Sequence, residues 1–179
     1  MTETASSQLA LATLAAAFSL AFTLPALADD GPPRPKIDCS KKANKGKPGC
    51  QNQNSMTDDE LYNAAYWLNR EGKYADALAL LNQISNRSDY EVLTARGFAT
   101  RKLGDVDAAL PFYMQALALN PAATRTREYL GEAYLTKGDV RSARGQLDEI
   151  ATRCGTTCDG YAKLATAITV FETTGEAPG

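Results

Sequence analysis

Histidine is wholly absent from this 179-residue chain. That removes Ser-His and Cys-His nucleophile pairs, histidine general bases and the commonest metal ligand. Cysteine is scarce, and its four positions, Cys39, Cys50, Cys154 and Cys158, form C-x10-C and C-x3-C spacings. Neither matches the close C-x2-C pairs of a four-cysteine zinc site or a C-x-x-C redox motif, and no alternating strand pattern supports the latter. An excess of one charge is missing too, with 19 basic against 21 acidic residues, so overall charge gives no nucleic-acid or membrane signal. Asp and Glu fall mostly at helix caps and outer faces, and no carboxylate pair lies in an apparent buried cleft. Catalysis, a metal and a cofactor are therefore not expected.

What is present begins with an uncharged apolar run, Leu9 to Leu24, followed by Pro25 and Ala26-Leu27-Ala28 before Asp29. Its length and small-residue A-x-A exit predict an export signal over 1–28, although nothing basic precedes the run. No cysteine stands directly after the cleavage point, so no lipid anchor is indicated. The expected product is an exported, soluble protein. Removing 1–28 takes away one charged side chain, Glu3, leaving 19 basic against 20 acidic residues.

All four cysteines lie beyond that point. An even count in an exported chain reads as disulfides, and of the three pairings the two local ones are favoured, Cys39–Cys50 and Cys154–Cys158. Each is worth on the order of 2–3 kcal/mol by loop entropy. Residues 29–56 are rich in proline, glycine, lysine and asparagine, and carry Arg34, Lys36, Lys41, Lys42, Lys45 and Lys47 against Asp29, Asp30 and Asp38. Such composition cannot bury enough apolar surface to fold alone and reads as a basic, largely disordered tail held at one place by a cystine.

The remainder is a helix-turn-helix phrase written three times. Gly72, Gly104 and Gly138 stand 32 and 34 residues apart, and each is followed five residues later by alanine: Ala77, Ala109, Ala143. A period of this length means stacked helical pairs. Thr57–Glu60 and Ser88–Glu91 read as capping boxes, and Asp105 as an N-cap. Pro111 should forfeit a hydrogen bond to Asp107 and bend its helix slightly, while Pro121 suits the first turn of the next. After CGTTC, a last helix with Tyr161, Leu164, Ala165, Ile168 and Phe171 covers the apolar end of the stack and fades at Gly175. The expected units are 58–89, 90–123 and 124–155 with a cap over 157–174, together a domain spanning 57–174.

These units resemble tetratricopeptide repeats. Unit two carries the likeness through Gly97, Gly104, Ala109, Tyr113, Ala116 and Pro121, and unit three through Leu130, Gly131, Tyr134, Gly138, Ala143, Leu147 and Ile150. Unit one carries it through Leu61, Ala64, Ala65, Gly72, Ala77, Leu81 and Ile84. Arg96 replaces a leucine of the pattern, and its stem is expected to pack with the head outside. The C-G-T-T-C-D-G-Y stretch from Cys154 looks like the end of small exported repeat proteins of Alphaproteobacteria, which implies a periplasmic setting.

The family resemblance implies an all-α, right-handed superhelical stack whose first helices form a concave groove for a protein or peptide segment. Its positions here are Asp59, Tyr62, Tyr66, Asn69 and Arg70; Glu91, Thr94, Phe98, Arg101 and Lys102; Arg125, Glu128, Glu132, Leu135 and Thr136. Aromatic anchors beside arginines are typical of binding hot spots, so a partly acidic segment is expected there. The basic set with which some relatives clamp a C-terminal carboxylate is missing, because Tyr62 and Tyr66 occupy two of its places. An alternative function is tethering to peptidoglycan or anionic lipid through the basic tail. Trp67 is expected to cap the N-terminal end of the core; the tail, or a second protomer in a homodimer, are its other covers.

Overall fold

The computed structural model describes residues 56–178. The expected signal (1–28), the basic tail up to residue 55 and the Cys39–Cys50 bridge lie outside the described residues. Within them are seven helices and no strand: α1 (Asp58–Arg70), α2 (Tyr74–Leu81), α3 (Tyr90–Lys102), α4 (Val106–Leu119), α5 (Thr124–Thr136), α6 (Val140–Cys154) and α7 (Asp159–Thr174). None is long and apolar enough to cross a membrane.

Each pair turns at a glycine because the chain needs a left-handed residue there. Gly72, Gly104 and Gly138 have φ of 77°, 97° and 76°. Around each, two hydrogen bonds close the helix end in the same way: Gly72 N–H to Asn69 O and Lys73 N–H to Leu68 O, repeated at Gly104–Asp105 and Gly138–Asp139. Two of the three following helices start on aspartate, with Asp105 accepting from the Ala108 amide and Asp139 from the Ser142 amide, each at 3.0 Å, while α2 starts on Lys73 without a side-chain cap. Thr57 and Glu60 form a reciprocal capping box. Beside it the Asp58 carboxylate accepts the Ser85 and Asn86 amides, both at 3.0 Å, tying the loop ahead of α3 to the start of α1.

Alanines set the close approach within pairs: Ala65, Ala77, Ala109 and Ala143 are all fully buried. The core runs as three successive clusters. Leu61, Tyr62, Leu81, Ile84 and Val92 fill the first, Tyr113, Leu130 and Ala133 the second, and Leu135, Ile150, Leu164 and Ile168 the third. At two points only hydrogen fits. A Cβ on Gly97 would lie 2.6 Å from the Tyr113 ring, and one on Gly131 would lie 2.6 Å from Leu164 Cδ2. Successive first helices also touch through hydroxyls, with Thr94 Oγ1 2.7 Å from Thr126 Oγ1.

Four local expectations need correction. The cap of α3 is Asp89, which accepts from the Glu91 amide at 2.9 Å, and not a Ser88 box. Arg96 turns its head inward: it is 5% exposed and donates to Leu81 O at 2.6 Å, because that carbonyl at the end of α2 has only the Ile84 amide at 3.3 Å, the Ser85 amide being taken by Asp58. Pro121 precedes α5 altogether, and its carbonyl accepts from both Arg127 and Arg153. Trp67 is 52% exposed, so it does not cap the core; its ring edge meets Tyr66 instead. Pro111 sits inside α4, which continues through it to Leu119.

Cys154 ends α6 and Cys158 caps α7, and a disulfide joins them across a Cα–Cα distance of 6.0 Å. Replacing both cysteines by serine is expected to lower unfolding stability by about 2 kcal/mol, the loop-entropy value for so short a ring. Urea titration with and without reductant measures it: reduction should cost the wild type about 2 kcal/mol more than the double variant, which keeps only Cys39 and Cys50.

Candidate functional site

The first helices of the pairs line one side of the stack, and α7 stands beside α5 as a fourth member of that row. Between them opens a cleft of about 170 Å³, lined from α1 by Tyr62, Tyr66, Asn69 and Arg70 and from α3 by Tyr90, Glu91, Thr94, Ala95 and Phe98. Ala123 and the α5 residues Arg125, Thr126 and Tyr129, with Lys163 of α7, complete it. That volume admits one bulky side chain and not a whole folded element.

The floor is aromatic. Phe98 and Tyr129 lie 4.7 Å apart centroid to centroid, Tyr74 backs Phe98 at 5.9 Å, and Tyr113 backs Tyr129 at 6.4 Å. Burial raises the Tyr129 pKa, and the Glu128 charge adds to it, so the phenol stays protonated and serves as a hydrogen-bonding group. On the rim, the Arg70 guanidinium lies 6.0 and 5.9 Å from the Tyr66 and Trp67 ring centroids and donates to the Tyr66 hydroxyl at 3.3 Å. Lys163 pairs with Asp159 one turn earlier in α7. Glu91 is the single carboxylate in the lining, so the cleft contains no pair of acids for general acid–base work.

The structure therefore brings Tyr62, Tyr66, Asn69, Arg70, Phe98 and Arg125 together, along with Glu91 and Thr94. It does not bring Arg101, Lys102, Glu128 or Glu132 into the cleft. Arg101 is 5% exposed; its guanidinium pairs with Glu132 and donates to Pro178 O at 3.3 Å, so the segment after α7 folds back over it. Glu128 is buried beside Gly160 at the start of α7. Lys102 lies half-buried with its ammonium 5.6 Å from the Phe98 ring, and burial first, then the Arg101 charge, lowers its pKa. Leu135 belongs to the core, Thr136 is exposed on its far side, and Asp59 sits outside the lining. The reason is rotational: on α5 the cleft faces 125, 126 and 129, which turns 128 and 132 toward α7 and α3.

Tyr90, Ala95, Ala123, Thr126, Tyr129 and Lys163 escaped the sequence reading. Stepping by four from Arg125 would have found Tyr129. Lys163 was hidden because α7 was read only as a cover.

The fold has solved counterparts. The type III secretion translocator chaperone SycD of Yersinia enterocolitica superposes with a TM-score of 0.57 at 18% identity, covering 68% of this chain and 90% of that one. Its alternative dimer gives 0.55 at 21% identity, covering 66% and 91%. SycD in complex with a peptide of the translocator YopD gives 0.54 at 19%, covering 66% and 94%. No curated protein matches the chain. A tetratricopeptide repeat family model matches residues 101–153, from the end of α3 to the end of α6, and with the seven helices it marks the described chain as an all-helical repeat solenoid.

Proposed function

We propose that this protein is a non-catalytic interaction module of the bacterial periplasm that holds a segment of a partner protein in its concave cleft. The observation that carries the reading is the cleft itself, an aromatic floor walled by Arg70 and Arg125 on the face shared by successive first helices. SycD, whose fold it shares, has been seen with a peptide of a partner, which supports the same use of the fold here. The uncharged run ending in Ala26-Leu27-Ala28 supports the compartment.

A photo-crosslinking residue placed at Tyr66 in cells, followed by identification of the adduct, supplies the partner. Tyr66→Ala, Phe98→Ala and Arg125→Ala combined should then weaken its capture at least about tenfold while the helical circular-dichroism signal persists. Unchanged capture by that folded variant overturns the cleft reading. Loss of capture on deleting 29–55 alone would do so as well, and would favour the basic tail as the tether.

A further inference from the structure

Asn69 carries a buried side-chain acceptor that bonds nothing. It lies in the cleft wall, 9% exposed, and its Oδ1 is buried without a hydrogen-bond partner. Buried amides in folded proteins are almost always satisfied, and an exception calls for an explanation. A carboxamide offers one acceptor and two donors side by side, which complements a peptide group's N–H and C=O. Its neighbour Arg70 forms no ion pair among the described residues; its guanidinium lies 6.0 and 5.9 Å from the Tyr66 and Trp67 ring centroids and donates one N–H to the Tyr66 hydroxyl. A guanidinium carries five N–H donors, so others are available to a carboxylate. In the lining, Arg70, Arg125 and Lys163 stand against one carboxylate, Glu91, while just outside it Asp159 pairs with Lys163 and the Glu128 charge reaches Tyr129.

Resting on the interaction reading above, we propose that the cleft takes an extended acidic segment of the partner, read at one peptide group by Asn69. One bulky side chain of the segment enters the cleft onto Phe98 and Tyr129. Because side chains alternate along an extended chain, a neighbouring acidic residue then points to the rim and meets Arg70. The chain's own residues 29–55 do not fit this description. They carry Arg34, Lys36, Lys41, Lys42, Lys45 and Lys47 against three aspartates and would face a rim of their own sign.

The test uses the full chain as bait for a random nonapeptide phage library. The expected enrichment is for Asp or Glu within two positions of an aromatic or large aliphatic residue. One enriched peptide, made with a fluorescein label, is then titrated by anisotropy. Asn69→Leu should weaken it about 5- to 10-fold, the worth of a hydrogen-bonded pair, without lowering the melting temperature, since a dissatisfied amide is replaced by a similar-sized apolar group. N-methylation of the peptide amide that meets Asn69 should cost the same factor, and the two losses should not add. Asn69→Asp keeps an acceptor and adds repulsion, so it should hit acidic peptides harder than a neutral analogue. Enrichment without acidic preference, an Asn69→Leu effect under twofold, or additive losses would overturn the inference while leaving the cleft reading in place. If Phe98→Ala displaces no enriched peptide, the cleft reading fails and this inference fails with it.

Discussion

Truncating Glu132 to alanine is expected to destabilise the protein by about 3–5 kcal/mol, read as a lowered urea midpoint at unchanged slope. The side chain it leaves behind is the reason. Arg101 has 2% of its side chain exposed against 16% for Glu132, so the guanidinium depends on that carboxylate for charge balance. Beyond it the guanidinium meets the Pro178 carbonyl at 3.3 Å and the Phe98 ring at 5.8 Å, and its Nε bonds nothing. A cation stranded there must either draw water into the interface between α3 and α5 or pull its helix away. Replacing both partners by apolar residues, Arg101→Met with Glu132→Leu, removes the stranded charge and should recover most of the loss. Arg70→Ala, on the exposed rim, should change stability by no more than about 0.5 kcal/mol. Equal costs for Glu132→Ala and the double replacement would contradict the account.

That contrast shows where the sequence stopped being readable. The turns and the close helix contacts were visible because backbone geometry admits few residues there. A left-handed turn wants Gly72, Gly104 or Gly138, and helices touching at Ala77 or Ala143 want a methyl. Arg101 and Arg70 are chemically alike in the sequence, both near the end of an inner helix. What separates them is a carboxylate 31 residues further on and the fold-back of the segment ending at Pro178. Periodicity alone does not report such partnerships. Arg96 makes the same point, since its inward head answers a carbonyl of the preceding pair. The cleft was half legible for a related reason. On α1 the expected Tyr62, Tyr66, Asn69 and Arg70 line the cleft and Asp59 does not, whereas on α5 a rotation of about one residue puts Thr126 and Tyr129 where Glu128 and Glu132 are expected.

The second large effect is expected at the far end of the stack, where Leu164→Ala should cost about 3–5 kcal/mol. Leu164 is fully buried and rests directly on the backbone of α5 at Gly131, with Leu135, Ala143, Ile150 and Ile168 around it. The cavity would open between α7 and the last pair, and no described element stacks beyond α7 to close it. Gly131→Ala alone should also destabilise, because its Cβ would come within 2.6 Å of Leu164 Cδ2 and 2.7 Å of Cδ1. Once Leu164 is truncated the new methyl has room, so the double variant should be more stable than the sum of the single effects by at least about 1 kcal/mol. Strict additivity would mean that the two positions do not share one packing site. The consequence reaches the cleft, since α7 carries Lys163 into its wall and leads into the segment that covers Arg101. Leu164→Ala should therefore weaken peptide binding as well as stability, and Gly131→Ala in the same chain should restore part of both. A cap that served only to shield the end of the core would recover stability and leave binding untouched.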